Sequence, residues 1–113
     1  MLFTEKDAIQ IARKYYGIDA EAKSLPGDID KNFLINERPD KFSKPIRSYV
    51  LKIHSSETPR EEIEFQNAAL HHLKDFEGVP HIIPNKAGEE LFVYDDKYLV
   101  RLVSYLEGTL FAD

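Results

Sequence analysis

Lys52 is the residue whose type and position point most directly to chemistry. It lies in the segment SYVLKIH, residues 48–54, in which β-forming residues surround the lysine. Alternation along a strand places Lys52 and His54 on one face and Leu51 and Ile53 on the other. A lysine that projects from a rigid strand into a partly dry cleft can hold an anion if a neighbouring helix fixes its rotamer. A solvent-facing lysine on the open side of a sheet is the alternative that this segment alone leaves open.

Other residues capable of chemistry fall into weaker patterns. His71 and His72 are adjacent in a predicted helix, where they point about 100° apart and cannot easily share a metal ion. We therefore expect both histidines to face solvent. Asp95 and Asp96, followed by Lys97, have a composition typical of a hairpin turn. The sequence contains no phosphate-binding P-loop and no plausible Ser-His-Asp arrangement, and we predict no metal site.

Composition limits the classes of protein that remain. The chain has 113 residues, of which 42% are hydrophobic, and this is enough for one domain with one core. Its net charge of -5 argues against nucleic acid or an anionic membrane as the main partner. It has no cysteine, which excludes disulfides and thiolate metal sites and fits a reducing compartment. With no long apolar run and no secretory signal pattern, we expect a cytoplasmic protein.

The elements that would position these residues follow from hydrophobic periodicity and turn residues. In chain order we predict a helix over 4–16, strands to Leu25, over 31–36 and over 48–54, a helix over 58–76, a short strand, a strand over 91–94 and a strand over 98–104. Thr4 with Asp7, and Thr58 with Glu61, predict a capping box at the start of each helix. This order indicates an α+β fold, an antiparallel five-stranded sheet with its helices packed on one face.

Four segments, in this order and spacing, resemble a known family. LPGDIDKNFLI, YVLKI, EFQNAALHHL and VRLVSYLEG look like the N-terminal lobe of the aminoglycoside phosphotransferase and choline-kinase-like family. The likeness is greatest to its hydroxylysine-kinase branch and to the kinase-like domains fused to class III aminotransferases. The resemblance covers nearly the whole chain and implies a kinase-like N-lobe.

The resemblance also implies a role for particular residues. Lys52 would contact the α- and β-phosphates of ATP, held by a residue of the next helix, where Gln66 occupies the inward position and Glu62 lies one turn earlier. The turn from Pro26 to Asn32 would lie over the nucleotide. The remaining expected nucleotide contacts are Gly27, Lys31 and Asn32 in this turn and the Ser104 carbonyl and Leu106 N–H at the hinge between lobes.

The catalytic groups of the family lie in its C-terminal lobe, in a His-Gly-Asp motif that this sequence does not contain. The resemblance thus implies that residues 1–113 are a single nucleotide-binding domain of a larger protein, with no catalytic residue and no activity alone. The larger protein would bind ATP and Mg²⁺, with the metal ligands in the C-terminal lobe, and phosphorylate a hydroxyl of an amine-bearing small molecule. The alternative is a non-catalytic binding or interaction module of the same fold within a multidomain protein.

Overall fold

The computed structural model describes residues 3–26, 30–38, 47–76 and 78–105. These ranges form two helices and one antiparallel sheet, which confirms the predicted α+β class. The elements are α1 (Glu5–Tyr16), β1 (Ala20–Leu25), β2 (Lys31–Glu37), β3 (Ser48–His54), α2 (Arg60–His72), β4 (Ile82–Ile83), β5 (Phe92–Tyr94) and β6 (Tyr98–Ser104). Neither helix is long and apolar enough to cross a lipid bilayer, within the ranges just given.

Helix α1 follows its local sequence signals. The Thr4 side chain accepts a hydrogen bond from the Asp7 N–H, and the Asp7 carboxylate accepts one from the Thr4 N–H, so the predicted capping box is present. Gly17 ends the helix in the left-handed conformation, with φ 71°. Ala8 and Ile11 lie on its buried face and pack in the main core.

The sheet has one more strand than the five predicted. Strands β1, β2, β3 and β6 pair in that order, and both β4 and β5 pair with the far edge of β6. Ile82 of β4 lies opposite Val103, and Phe92 of β5 lies opposite Val100. The fifth position in the sheet is therefore shared by two short strands. A loop separates them, in which the Asn85 side chain accepts hydrogen bonds from the backbone.

The two helices lie on opposite faces of the sheet, and the prediction that they share one face is wrong. Helix α1 packs in the main core against Phe33, Leu51 and Leu102, which are neighbours on one face. Lys52 and Arg101 lie on the other face, and Arg101 hydrogen-bonds to α2. Alternation along β3 is as predicted, and the Lys52 face is covered by α2.

Helix α2 is shorter at both ends than the predicted 58–76. Its N-cap is Pro59, which has no side-chain cap, and the helix ends at His72. The predicted capping box at Thr58 is wrong because the Thr58 hydroxyl donates instead to Asp30, 3.0 Å away. The hairpin turn at Asp95 and Asp96 is confirmed, since both residues have φ 56° and the Lys97 N–H donates to the Tyr94 carbonyl.

Candidate functional site

A cavity of about 600 Å³ lies between α2 and the Lys52 face of the sheet. Its polar groups come from three strands and one helix, and apolar strand residues form much of its wall. The lining residues are Leu25, Pro26, Asn32, Leu34, Val50, Lys52, Gln66, Ala69, Leu70, Pro80, Arg101, Val103, Ser104 and Tyr105. Four of the residues predicted from the sequence line this cavity: Asn32, Lys52, Gln66 and Ser104. A second cavity, of about 570 Å³ beside Lys14 and Lys86, contains none of them.

Lys52 is half-buried and points into this cavity from the middle of β3. Its ammonium donates to the side-chain oxygen of Asn32, which lies directly opposite on β2, over a long 3.4 Å. Burial lowers the pKa of Lys52, and the positive charge of Arg101 lowers it further, whereas Asp30 acts to raise it. The ammonium is therefore partly desolvated and weakly held within the described part of the chain.

The side chain of Gln66, one of the two α2 residues that the resemblance offered as a partner of Lys52, binds Arg101 instead. Arg101 is only 4% exposed and lies directly opposite Lys52 on β6. Its terminal nitrogens donate to Gln66 Oε1 and, at 2.6 Å, to Asn67 Oδ1. Glu62, the other expected partner of Lys52, is exposed near the start of α2. Arg101 thus ties α2 to the sheet at the place where we expected a contact from Lys52.

His54 and Asp30 extend the hydrogen bonds of Arg101 across the sheet. Arg101 Nε donates to His54 Nε2 at 3.2 Å, and His54 Nδ1 lies 2.9 Å from the Asp30 carboxylate. Because Arg101 can only donate, Nε2 must accept, so Nδ1 of a neutral His54 carries the proton and donates to Asp30. Burial lowers the pKa of His54, although Asp30 acts to raise it. This arrangement fixes the ring in one tautomer.

Asp30 is turned toward the connection between β3 and α2. Its carboxylate also accepts from the Ser55 N–H at 2.9 Å and from the Thr58 hydroxyl at 3.0 Å. Burial acts to raise the pKa of Asp30, but the hydrogen bonds from Ser55, His54 and Thr58 together lower it. The negative charge of Asp30 is therefore engaged by donors of its own protein.

The other predicted residues have simpler surroundings. Lys31 is exposed at the start of β2. Ser104 ends β6, where its N–H donates to the His81 carbonyl and its hydroxyl accepts from the His81 N–H, each at 2.8 Å. Gly27 and Leu106 lie outside the described residues. The Ser104 carbonyl and the Leu106 N–H therefore remain predictions for the hinge.

Arg101 and His54 are the site residues that the sequence reasoning did not select. The signal for Arg101 was a charged residue within the apolar strand segment VRLVS. Alternation placed His54 on the same face as Lys52, but it did not indicate which residue His54 would contact. Only the pairing of β3 with β6 brings Arg101 beside Lys52 and His54. Arg101 and His54 are hydrogen-bonded although they lie 47 residues apart in the sequence.

The described residues offer no cluster of three or more His, Cys, Asp or Glu side chains that could hold a metal ion. His71, which we expected to face solvent, is about half exposed and contacts the Glu90 carboxylate at 2.7 Å. This pair is too small a ligand set for a structural metal site.

No protein-family model matches the chain, and none of the curated proteins matches it. Among solved structures, its fold is similar to that of the spectinomycin phosphotransferase APH(9)-Ia, determined in complex with ADP and spectinomycin. The TM-score is 0.70 at 14% sequence identity, and the match covers 95% of this chain and 31% of the phosphotransferase. The chain thus spans about a third of the length of that protein. The similarity confirms the predicted kinase-like N-lobe arrangement and supports the predicted aminoglycoside-phosphotransferase-like fold. It does not support the assignment to the hydroxylysine-kinase branch.

Proposed function

We propose that this chain is the ATP-binding N-terminal lobe of a small-molecule phosphotransferase. The observation that carries the proposal is the position of Lys52. Its partly desolvated ammonium projects from the central strand β3 into a cavity covered by α2, in a chain with a phosphotransferase-like fold. A cation in this position suits the phosphates of a nucleotide, because a charge-assisted hydrogen bond is strong where water is partly excluded.

The cavity has the size and the surface that a nucleotide needs. Its volume of about 600 Å³ lies in the usual range for small-molecule sites. Leu34, Val50 and Val103 present apolar surface on which an adenine ring could pack. Ser104 lies at the end of β6 beside this surface, so its carbonyl and the Leu106 N–H would bind the adenine edge. The APH(9)-Ia structure was determined with ADP bound, which agrees with a nucleotide site in this fold.

The phosphates would lie at the other end of the cavity, near Lys52 and Asn32. The turn that contains Gly27 would cover them, and its backbone N–H groups together with Lys31 would add donors. Because Asp30 is held by Ser55 and Thr58, its charge is directed into the protein. Bound Mg²⁺ would neutralise phosphate charge, with its protein ligands in the C-terminal lobe.

The proposal extends to the activity of the complete protein. We infer a C-terminal lobe in the same polypeptide, which would carry the catalytic aspartate and close the other side of the cleft. The phosphate would be transferred to the hydroxyl of an amine-bearing small molecule of the amino-alcohol or aminoglycoside class. A hydroxylysine-kinase-like enzyme is one enzyme of this kind. Such a protein would work in the cytoplasm, where ATP is supplied. A reading frame that continues past codon 113 into a His-Gly-Asp motif would support this part of the proposal, and a stop codon there would refute it.

One observation favours a non-catalytic module as the second candidate. The α2 residue expected to hold Lys52 is an amide, Gln66, and its side chain binds Arg101. A fold that had lost nucleotide chemistry would tolerate this arrangement, since Arg101 still attaches α2 to the sheet through Gln66 and Asn67. Nucleotide binding separates the two candidates.

The experiment is a calorimetric titration of the complete protein with ATP and Mg²⁺. Lys52→Ala should weaken ATP binding about tenfold or more, because a hydrogen bond to a charged group contributes roughly 1.5–3 kcal/mol. Lys97→Ala, which removes an exposed lysine in the β5–β6 turn, is the matched control and should bind ATP as the wild type does. Equal ATP affinity of the wild type and Lys52→Ala would refute the role of Lys52. Absence of ATP binding in the wild type would favour the non-catalytic module.

A further inference from the structure

Lys52 and Arg101 form a pair of like charges directly across β3 and β6. They are register partners in the antiparallel pairing, and both line the same cavity. Like charges in this position destabilise a sheet because their side chains are neighbours on one face. Arg101 is buried and Lys52 is half-buried, and burial lowers the pKa of each. The protein thus concentrates positive charge in one half-enclosed space.

The contacts of this pair do not neutralise it. Arg101 donates to three neutral acceptors, which are His54 Nε2, Asn67 Oδ1 and Gln66 Oε1. Within the described residues, neither cation has a carboxylate at ion-pair distance. Asp30 does attract both cations, but its oxygens are bound to the β3–α2 connection and to the far side of the His54 ring.

Unused donors accompany the positive charge. A guanidinium has five N–H groups, and the three contacts of Arg101 use its Nε–H and one N–H on each terminal nitrogen. One N–H group on each terminal nitrogen has no partner among the described contacts. The Lys52 ammonium has three N–H groups and, among the described contacts, one long bond to Asn32. Phosphate oxygens suit such a set, because guanidinium and ammonium groups both bind them through charge-assisted hydrogen bonds.

We propose that Lys52 and Arg101 together form one two-cation phosphate site, in which Arg101 is a second phosphate-binding residue. The ligand class is a pyrophosphate group, either the diphosphate of a nucleotide or free inorganic pyrophosphate. That it belongs to a nucleotide rests on the proposed function, which this inference deepens. A ligand with two adjacent phosphates can place one oxygen against each cation and so relieve their repulsion.

The competing role for Arg101 is structural. In that case its only task is to attach α2 to the sheet through Gln66 and Asn67. Asn67→Ala separates the two roles, because it removes a helix contact and leaves the charge of Arg101 in the cavity. It should lower the stability of the protein and leave phosphate binding unaffected.

The test is calorimetric titration of the complete protein with ADP and, separately, with inorganic pyrophosphate. Arg101→Met removes the charge and keeps a long apolar side chain, which buried charged sites often tolerate. Arg101→Met and Lys52→Met should each weaken binding of both ligands about tenfold or more. Asn67→Ala should bind both within about twofold of the wild type. Arg101→Lys, which keeps the charge without the planar fork, should fall between the wild type and Arg101→Met. Arg101→Gln, which removes the charge and keeps a polar side chain, serves if Arg101→Met does not fold.

Several results would overturn the inference. Unchanged affinity in Arg101→Met, or in Arg101→Gln if Arg101→Met does not fold, would show that Arg101 does not bind phosphate. An equal loss in Asn67→Ala would assign Arg101 to helix attachment alone. If only Lys52→Met weakens ADP binding, the nucleotide function stands and the two-cation site fails. If pyrophosphate binds with full dependence on Arg101 and ADP and ATP do not bind, the two-cation site stands and the nucleotide function fails.

Discussion

Asp30→Ala should destabilise the fold strongly, because one carboxylate joins the start of β2 to the connection between β3 and α2. The Asp30 oxygens accept from the Ser55 N–H at 2.9 Å, the Thr58 hydroxyl at 3.0 Å and His54 Nδ1 at 2.9 Å. These contacts span 24 to 28 residues of sequence. Alanine removes all three acceptor interactions and leaves their donors behind.

The expected loss in the free energy of unfolding is about 2–4 kcal/mol. A hydrogen bond to a charged acceptor contributes roughly 1.5–3 kcal/mol, and a buried donor without a partner costs about 1–3 kcal/mol. His54 carries the larger penalty, since its side chain is 5% exposed and water cannot easily replace Asp30. The total is less than three full contributions, because the Asp30 side chain is itself 29% exposed and water can reach the remaining donors.

Urea unfolding of the chain, followed by far-ultraviolet circular dichroism, measures this loss, since there is no tryptophan to follow by fluorescence. Asp19→Ala is the matched control, because Asp19 is 71% exposed in a surface pair with Arg38 and should contribute less than about 1 kcal/mol. Thr58→Ala added to Asp30→Ala should cost less than it does alone, since its acceptor is already gone. A loss for Asp30→Ala no greater than that for Asp19→Ala would refute the network.

Two further predictions concern buried groups. Burial lowers the pKa of His54 below its usual 6.5, so His54 binds a proton more readily in the unfolded chain than in the folded protein. The stability contribution of neutral His54 is therefore complete above about pH 6.5 and is lost as the pH falls through the folded pKa. The urea concentration at the midpoint of unfolding should drop between pH 7.5 and 5, and it should drop less in His54→Gln than in the wild type. An equal drop in the two proteins would contradict this account. Tyr16→Phe should raise the free energy of unfolding by about 1 kcal/mol, because the Tyr16 hydroxyl is buried without a hydrogen-bond partner among the described residues; unfolding at an unchanged or lower urea concentration would contradict it.

Local signals predicted the first helix and the strands well. The Thr4 and Asp7 capping box and the stop at Gly17 act within a few residues, and both are present in the structure. The period-two pattern of β3 placed Lys52 and Leu51 on opposite faces correctly. These features depend on neighbours in the sequence, and the sequence therefore determined them.

The start of α2 shows where local signals fail. Thr58 and Glu61 have the spacing of a capping box, but a carboxylate 28 residues away takes the Thr58 hydroxyl. The face on which α2 packs is also a tertiary property, because it depends on contacts from Arg101 to Gln66 and Asn67. Neither outcome can be deduced from a window of one helix.

Only part of the candidate site could be predicted from the sequence, for the same reason. Alternation and the order of elements selected Lys52, and the same strand pattern could have flagged the arginine in VRLVS as a second charge. The register that sets Arg101 against Lys52 depends on the pairing of β3 with β6, whose residues lie far apart in sequence. Gln66 is exposed but lines the cavity, and the partner of its side chain depended on that register.

The most direct test of the central claim is covalent labelling of Lys52 by an acyl-phosphate derivative of ATP. Such a reagent transfers its acyl group to a lysine amine beside the phosphates, forming an amide and releasing ATP. Since burial lowers the pKa of Lys52, more of its amine is neutral and able to attack. Peptide mass spectrometry of the complete protein should find Lys52 acylated in preference to the exposed Lys97, and excess ATP should suppress the reaction. Labelling of Lys97 without Lys52, or labelling of Lys52 that ATP does not suppress, would contradict the claim that Lys52 binds the phosphates of ATP.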